Sequence, residues 1–510
     1  MNATRGSRFQ VPRSTFVFGV RFTVLRSRFA VRGSWLACAS GIVALTLAVA
    51  AAQQPAPDRS KPPALGPAPE LKLPEIQERT LSNGLALRLV ESHEVPLVQV
   101  NLLILAGSAE DAPGKLGVAS LTAAMLDEGA GTRSALEIAD AVDFLGALLT
   151  TSSSFDASAV RLNVPVARLR DALPIVADVA LRPTFPQKDL DRLRQDRLTS
   201  LLQARDDPAS IADMAYQRLL FGTTSRYGTE SIGTTATLKA LTQEDLRAFH
   251  AARYTPSNAA LIVVGDVRMD EVLPLLEQQF GGWKGEAQPR VTIAASKQRA
   301  RRDIYIVDKP GAEQSQIRIG WIGVPRSTPD YFPIVVMNTI LGGSFTSRLN
   351  QNLRETHGYA YGASSRFDMR RFAGPFTASA GVQTDKTAEA VREFFNELEG
   401  IRKPISADEL TKAKNYLAFG FPADFETTGD LSRRIEEMIV YRLPENYFSQ
   451  YVAQIQAVTP AGAQKAALTH VQPDRFAVVV VGDAKTIEPP LRALKLGPVR
   501  VMSVEEAIGQ

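Results

Sequence analysis

Apolar residues recur along this chain with two spacings, and the switch between them outlines its elements. LALRLVE over 85–91 alternates and LVQVNLLIL over 97–105 runs almost continuously apolar, as half-buried and buried strands do. Residues 114–126 take the helical period instead. LTTSSSFDASAVRLNVP over 149–165 reads as a hairpin, and 187–206 as a charged amphipathic helix turning Leu190, Leu193, Leu198 and Leu201 inward. The order is strands, helix, strand pair, long helices and a last buried strand. It predicts an α+β fold with a sheet in one layer and helices in the other.

The same order returns further along. Pro256 precedes Gly265 by nine residues in PSNAALIVVGDV, and Pro473 precedes Gly482 by nine in PDRFAVVVVGDA, at an offset of 217. Each reads as a turn, a buried strand and a Gly-Asp turn. GSAEDAPGKLGVASLTAAML, with Gly107 and Pro113, corresponds to GVPRSTPDYFPIVVMNTILG, with Gly323 and Pro329, at an offset of 216. Thr242 and Thr459 open corresponding helices, and the stretch around Leu190 to Leu198 corresponds to Leu410 to Leu417. Four matches in nearly one register argue for duplication, and the period is too long for a solenoid. The expectation is two homologous two-layer α/β roll domains over 75–283 and 303–500, a polar basic linker over 284–302 and a tail over 501–510. In the linker, Arg299, Arg301 and Arg302 are open to an anion, but a solvated connection is the simpler reading.

Composition changes the picture mainly at the N-terminus. The 510 residues hold 58 Lys+Arg against 54 Asp+Glu, a net charge of +4 that hints at an anionic partner. Seven arginines (Arg5, Arg8, Arg13, Arg21, Arg26, Arg28 and Arg32) fall in the first 52 residues, where Lys, Asp and Glu are absent; taking seven from +4 leaves −3. The remainder makes no electrostatic case for nucleic acid or a membrane surface. The basic stretch leads into LACASGIVALTLAVAAA over 36–52, an apolar run ending in small residues, as in a secretory signal cleaved after Ala52. A periplasmic location is expected. An uncleaved anchor through 36–52 is one alternative, and the Arg-rich, acid-free leader also resembles a mitochondrial transit peptide. Residues 53–74, rich in Pro and Ala, read as a tether, and no later segment is long and apolar enough to span a membrane. The only cysteine, Cys38, lies in the leader, so residues 53–510 have no disulfide, thiol nucleophile or thiolate metal site.

The duplication, together with SNGLALRLVESHEVPLVQVNLLILAGSAEDAPGKLGVASLTAAML in the first half and LGGSFTSRLNQNLRETHGYAYGASS over 341–365 in the second, resembles the insulinase/pitrilysin/mitochondrial processing peptidase family over about residues 76–490. The resemblance implies a clam-shell peptidase chamber of which this chain forms one half. Catalytic members carry H-x-x-E-H on the first helix, where two histidines one turn apart bind zinc and the Glu activates water. A later helix adds a carboxylate ligand. Here the matching positions are Ser120, Ala123 and Ala124, and Ser200 or its neighbour Thr199 stands where the third ligand would be. The four histidines, His93, His250, His357 and His470, are dispersed. Ser120, on an apolar face, reads as a small packing residue, and there is no G-x-S-x-G. Asp127-Glu128 reads as a solvated helix end rather than an acid pair. No metal is expected in this chain.

What the resemblance retains lies in the second half. Family members bind substrate near the scissile bond with an Arg followed seven residues later by a Tyr. Arg354 and Tyr361 meet that spacing, in a segment where Gly342, Gly343, Ser347, Arg348 and Leu349 also agree, the first four as substrate-binding positions. A guanidinium and a phenol can hold main-chain carbonyls and a developing oxyanion without a metal. The plainer alternative is a helix-face charge and a half-buried strand aromatic. Some family members divide the two sites between chains. This sequence looks like the non-catalytic kind, inactive alone, supplying Arg354 and Tyr361 in trans to a homologous subunit that carries H-x-x-E-H and the zinc. The substrate is expected to be an unfolded peptide, held partly by strand addition with 380–384 (AGVQT) as candidate edge. The rival is a structural or peptide-binding protein of the same fold without a catalytic role.

Overall fold

The alternating and continuous apolar runs do form strands, and they assemble in the same order twice. In a computed structural model that describes residues 66–68, 72–286, 288–293 and 295–509, the first half contributes β1 (Gln77–Thr80), β2 (Ala86–Glu91), β3 (Leu97–Ile104), a small ribbon of β4 (Gly129–Ala130) and β5 (Arg133–Ser134), β6 (Leu148–Ser153), β7 (Ser158–Pro165) and β8 (Ala259–Gly265). Six of these form a sheet in the order β1-β2-β8-β3-β7-β6. The second half contributes β9 (Asp303–Asp308), β10 (Gln314–Ile322), β11 (Ala360–Phe367), β12 (Pro375–Gln383), β13 (Ala477–Gly482) and β14 (Val499–Met502), ordered β11-β12-β10-β13-β9-β14. The expected leader over 1–52 and most of the tether over 53–74 lie outside the described residues.

β9, β10 and β12 begin 217 residues after β2, β3 and β7 (86 to 303, 97 to 314, 158 to 375). The pairing repeats with them: β2 with β8 and β9 with β13 are parallel, whereas the central β3 and β10 run antiparallel to both neighbours. Only the outermost strands differ. β1 precedes β2 and pairs antiparallel with it, whereas β14 arrives from the C-terminal end and pairs parallel with β9. Residues 501–510, read from the sequence as a tail, contain the end of β14 and the helix Val504–Ile508, whose Ala507 and Ile508 are buried in the core.

β8 and β13 have no exposed residue, because each sheet is covered on both faces. One face of the first sheet meets its own helices, among them Val118–Ala124, Leu169–Leu181 and Met269–Phe280, around Leu87, Leu89, Val100 and Leu102. The other face is closed from the second half, where Leu431 and Ile435 of helix Thr428–Tyr441 pack on Val90, Leu103, Ile262 and Val264. The exchange is reciprocal: helix Pro208–Phe221 lays Ile211, Ala215 and Tyr216 against Val307, Val479 and Val481. Buried polar groups follow the same symmetry. Asn101 on β3 donates to Glu436 at 2.8 Å, and Arg318, 217 positions on along β10, donates to Asp213 at 2.6 Å. Arg161 adds bonds of 2.8 and 2.6 Å to Glu436, so the buried carboxylate is fully engaged.

The described residues of 284–302 form no helix or strand, but they are not a free connection. Val291 N–H donates to buried Glu110 at 2.8 Å. Of the basic cluster, Arg299 pairs with Asp303, Arg301 reaches the same carboxylate at 3.1 Å, and Arg302 lies 4.4 Å over the Phe395 ring. Among the described residues no helix is long and apolar enough to cross a membrane.

Candidate functional site

The site lies where the second half turns from helix to the first strand of its hairpin. Helix Tyr331–Asn338 ends in a widened π-helical turn over Thr339–Gly343, and Gly342 there approaches β11 so closely that a Cβ would sit 2.3 Å from the Ser365 amide nitrogen. A Cβ on Gly343 would stand 3.0 Å from the Asn338 side chain. Ser347 precedes the short helix Arg348–Asn350; it is buried, and its hydroxyl finds no hydrogen-bond partner among the described residues. Arg348 grips both oxygens of Glu409, at 2.7 and 3.0 Å, and this holds the Glu409 carboxyl down at about 2. These four residues shape the loop, and the Arg348 side chain anchors it to the protein itself.

Arg354 stands on a second π-helical turn, Gln351–Thr356, and Tyr361 near the start of β11. The register of β11 on β12 slips between Ala360 and Ala363, a bulge that turns Tyr361 outward until it is 90% exposed. The structure brings the two together: the Arg354 guanidinium carbon lies 5.1 Å from the Tyr361 ring centroid and 4.7 Å from that of Phe345. Glu355 pairs with Arg354 Nε at 3.2 Å, leaving the outer N–H groups for another acceptor. Phe345, itself exposed, went unmarked in the sequence; its place after the glycine pair was the available signal.

The expected sheet edge at 380–384 is a correction. Ala380 stands opposite both Ala363 of β11 and Ile317 of β10, so this segment is interior to the sheet, and the free edge beside the site is β11. Which strands flank a segment depends on pairing across the sheet, which the local pattern of residues does not record.

The positions matching metal donors lie in the first half. Ala123 is buried, while Ser120 and Ala124 are half-buried on helix Val118–Ala124. Ser200, exposed on helix Gln187–Ala204, bonds back to the Asp196 carbonyl at 3.0 Å. Alanines offer no donor atom, and among the described residues no three His, Cys, Asp or Glu gather, so these residues do not fit zinc. The histidines have other partners. His93 meets Asp266 at 2.7 Å, His250 the Ala180 carbonyl at 2.9 Å and His470 Asp330 at 2.8 Å, while His357 stacks on Tyr359 at 4.9 Å.

Across the vacated positions lies a side chain that the sequence pattern did not single out. Arg197 donates to the Ser120 carbonyl at 2.9 Å; burial pushes the guanidinium down to about 10, with Asp111 acting the other way. Asp111 accepts from the Gly117 and Ala119 amides at 2.6 and 2.9 Å and from Arg226 at 2.8 Å, yet burial still raises it to about 6. The signal for Arg197 was its position four residues after Leu193 and four before Leu201, on the inward stripe of its helix. Asp127 and Glu128 correct a second expectation. Both are half-buried rather than solvated; burial raises Asp127, and Glu128 pairs with Arg192 at 2.5 Å.

Two family models match in chain order, insulinase (peptidase family M16) over 88–229 and peptidase M16 inactive domain over 240–417. A Mycobacterium leprae protein described as an uncharacterized zinc protease is 28% identical over 348 residues, 67% of this chain and 76% of its own. The solved structure of a peptidase M16 inactive domain from Pseudomonas fluorescens is 27% identical with a TM-score of 0.75, over 80% of this chain and 98% of that one. A protease from Helicobacter pylori shares the fold at 21% identity and a TM-score of 0.75, over 80% and 100% of the two chains. Matched along both halves of its duplicated fold, this chain belongs to the insulinase family, peptidase M16.

Proposed function

We propose that this chain is the non-catalytic, substrate-binding subunit of a heterodimeric zinc metalloendopeptidase that acts on unfolded peptides. Its own contribution is Arg354 and Tyr361, presented to a homologous partner that carries H-x-x-E-H and the zinc. The supporting observation is the contrast between two places. Arg354 and Tyr361 meet on an exposed bulge, while Ser120, Ala123, Ala124 and Ser200 offer no metal site and Arg197 lies across them.

A peptide lying along the free edge of β11 would pass the bulge. There the Tyr361 hydroxyl and the outer N–H groups of Arg354 can donate to a main-chain carbonyl oxygen and to the negative charge that grows on it. Phe345 and the Tyr361 ring hold the guanidinium between them, so the donors are positioned before the peptide arrives. The partner supplies the attacking water. Export to the periplasm, through the leader, belongs to the same proposal, and cell fractionation tests it.

The experiment mixes the chain with an H-x-x-E-H homologue and follows cleavage of a quenched fluorescent, unfolded peptide. Hydrolysis is expected from the mixture and from neither chain alone. Arg354→Ala and Tyr361→Phe should each lower kcat/KM of the mixture by roughly 10- to 1000-fold, the range for loss of an oxyanion donor. Unchanged hydrolysis in both variants would sink the role in trans. Arg197 favours one second reading, a peptide-binding protein with no catalytic role, which predicts peptide binding but no hydrolysis with any partner.

A further inference from the structure

Beyond Tyr361, β11 runs into a cavity of about 540 Å³ between the two halves. Its floor is one face of the second sheet, including Ser364 and Arg366 of β11 and Arg318 of β10; its roof is formed by helices Gln187–Ala204 and Pro208–Phe221, and Glu230 also lines it. Six charged side chains border this space, and four neutralise one another: Arg318 with Asp213 at 2.6 Å and Arg370 with Asp368 at 2.9 Å. Arg366 and Glu230 have no ion pair or hydrogen bond from their side chains among the described residues. Burial first, and Asp213 second, push the Glu230 carboxyl up, with Arg370 acting the other way. The Arg366 guanidinium, exposed to the cavity, is thus left without a paired carboxylate among the described residues.

That guanidinium lies on the strand that carries the Arg354–Tyr361 site at its start. Arg366 is five residues past Tyr361, which at the rise of an extended strand is about 15 Å. Its forked donors match a carboxylate in geometry as well as charge. We propose that Arg366 is a specificity residue that takes a carboxylate of the substrate peptide, roughly five residues from the bond held at Tyr361. The carboxylate comes from an acidic side chain or from the C-terminus of the peptide. The inference rests on the reading of this chain as a peptide-binding subunit.

The test titrates the full chain with three fluorescein-labelled unfolded peptides, followed by anisotropy. One carries an internal Glu and an amidated C-terminus, one a free C-terminal carboxylate and no acidic residue, and one neither. One carboxylate peptide is expected to bind about tenfold more tightly than the neutral one, and which of them does so identifies the source. Arg366→Gln should abolish that preference without changing affinity for the neutral peptide, and Arg366→Lys should keep part of it. Because Arg366 is exposed and unpaired, both variants should retain the wild-type Tm. Equal binding of all three peptides, or a preference that survives Arg366→Gln, overturns this inference alone. No binding of any peptide overturns the substrate-binding reading with it.

Discussion

Arg197 Nη2 lies 2.9 Å from the carbonyl oxygen of Ser120, so a buried guanidinium bridges the two helices that would carry zinc ligands in a metal-bearing member of the family. Beside Ser120 the chain therefore holds a fixed cation as well as side chains that offer no metal donor set. A cation held there opposes a second positive charge placed nearby.

Restoring the motif alone should therefore fail. The variant Ser120→His, Ala123→Glu, Ala124→His, Ser200→Glu is expected to hold no stoichiometric zinc after dialysis, whereas adding Arg197→Ala should recover it. Metal analysis of the two purified proteins decides the matter. Tight zinc binding with Arg197 retained would show that the cation does not control the site.

The Arg348–Glu409 pair gives a pH signature. Its folded carboxyl is held at about 2, below the ordinary 4.5, so the pair's stabilisation is fully present above pH 4.5 and is lost as pH falls toward 2. Glu409 is about a third exposed, and solvent screening reduces the effect to about 1–2 kcal/mol. Arg348→Ala should lower Tm by about 1–2 °C at pH 7 and flatten the acid limb of a Tm-against-pH series. Parallel limbs would mean that the pair contributes nothing.

Gly342 and Gly343 should differ sharply although they are neighbours. Gly342→Ala forces a methyl to 2.3 Å from backbone and should cost about 2–3 kcal/mol in urea unfolding. Gly343→Ala comes no nearer than 3.0 Å to the Asn338 side chain and 3.1 Å to its carbonyl oxygen, and should cost less than about 1 kcal/mol. Equal losses would contradict the close approach of the π-helical turn to β11.

Exchange of helices makes the halves interdependent. Glu436→Ala leaves Arg161 and Asn101 without their buried acceptor and should destabilise by about 2–4 kcal/mol. The fragment 75–283 alone would expose Val90, Leu103, Ile262 and Val264 and should aggregate, whereas co-expression with 303–510 should yield a soluble pair by size exclusion. A monomeric, folded 75–283 would refute that dependence.

The order of strands and helices, and their duplication, could be read from the chain because a strand buried on both faces must be apolar throughout. AALIVVG and AVVVVG satisfy that condition 217 residues apart at their closing glycines. The resemblance reached Arg354 and Tyr361 in the same way, through spacing. Other facts were out of reach. The pattern of Thr428–Tyr441 shows that Leu431 and Ile435 leave water, not that they do so against the first sheet. Small residues at 380–384 could not reveal that both neighbours are strands. Arg197 sat on an inward stripe, where a long polar side chain can either snorkel to solvent or cross to another helix. A sequence pattern records which side chains are withdrawn from water, because burial depends on local period. Which group each one then meets depends on distances across the folded chain, and those were set only when the two sheets closed on each other's helices.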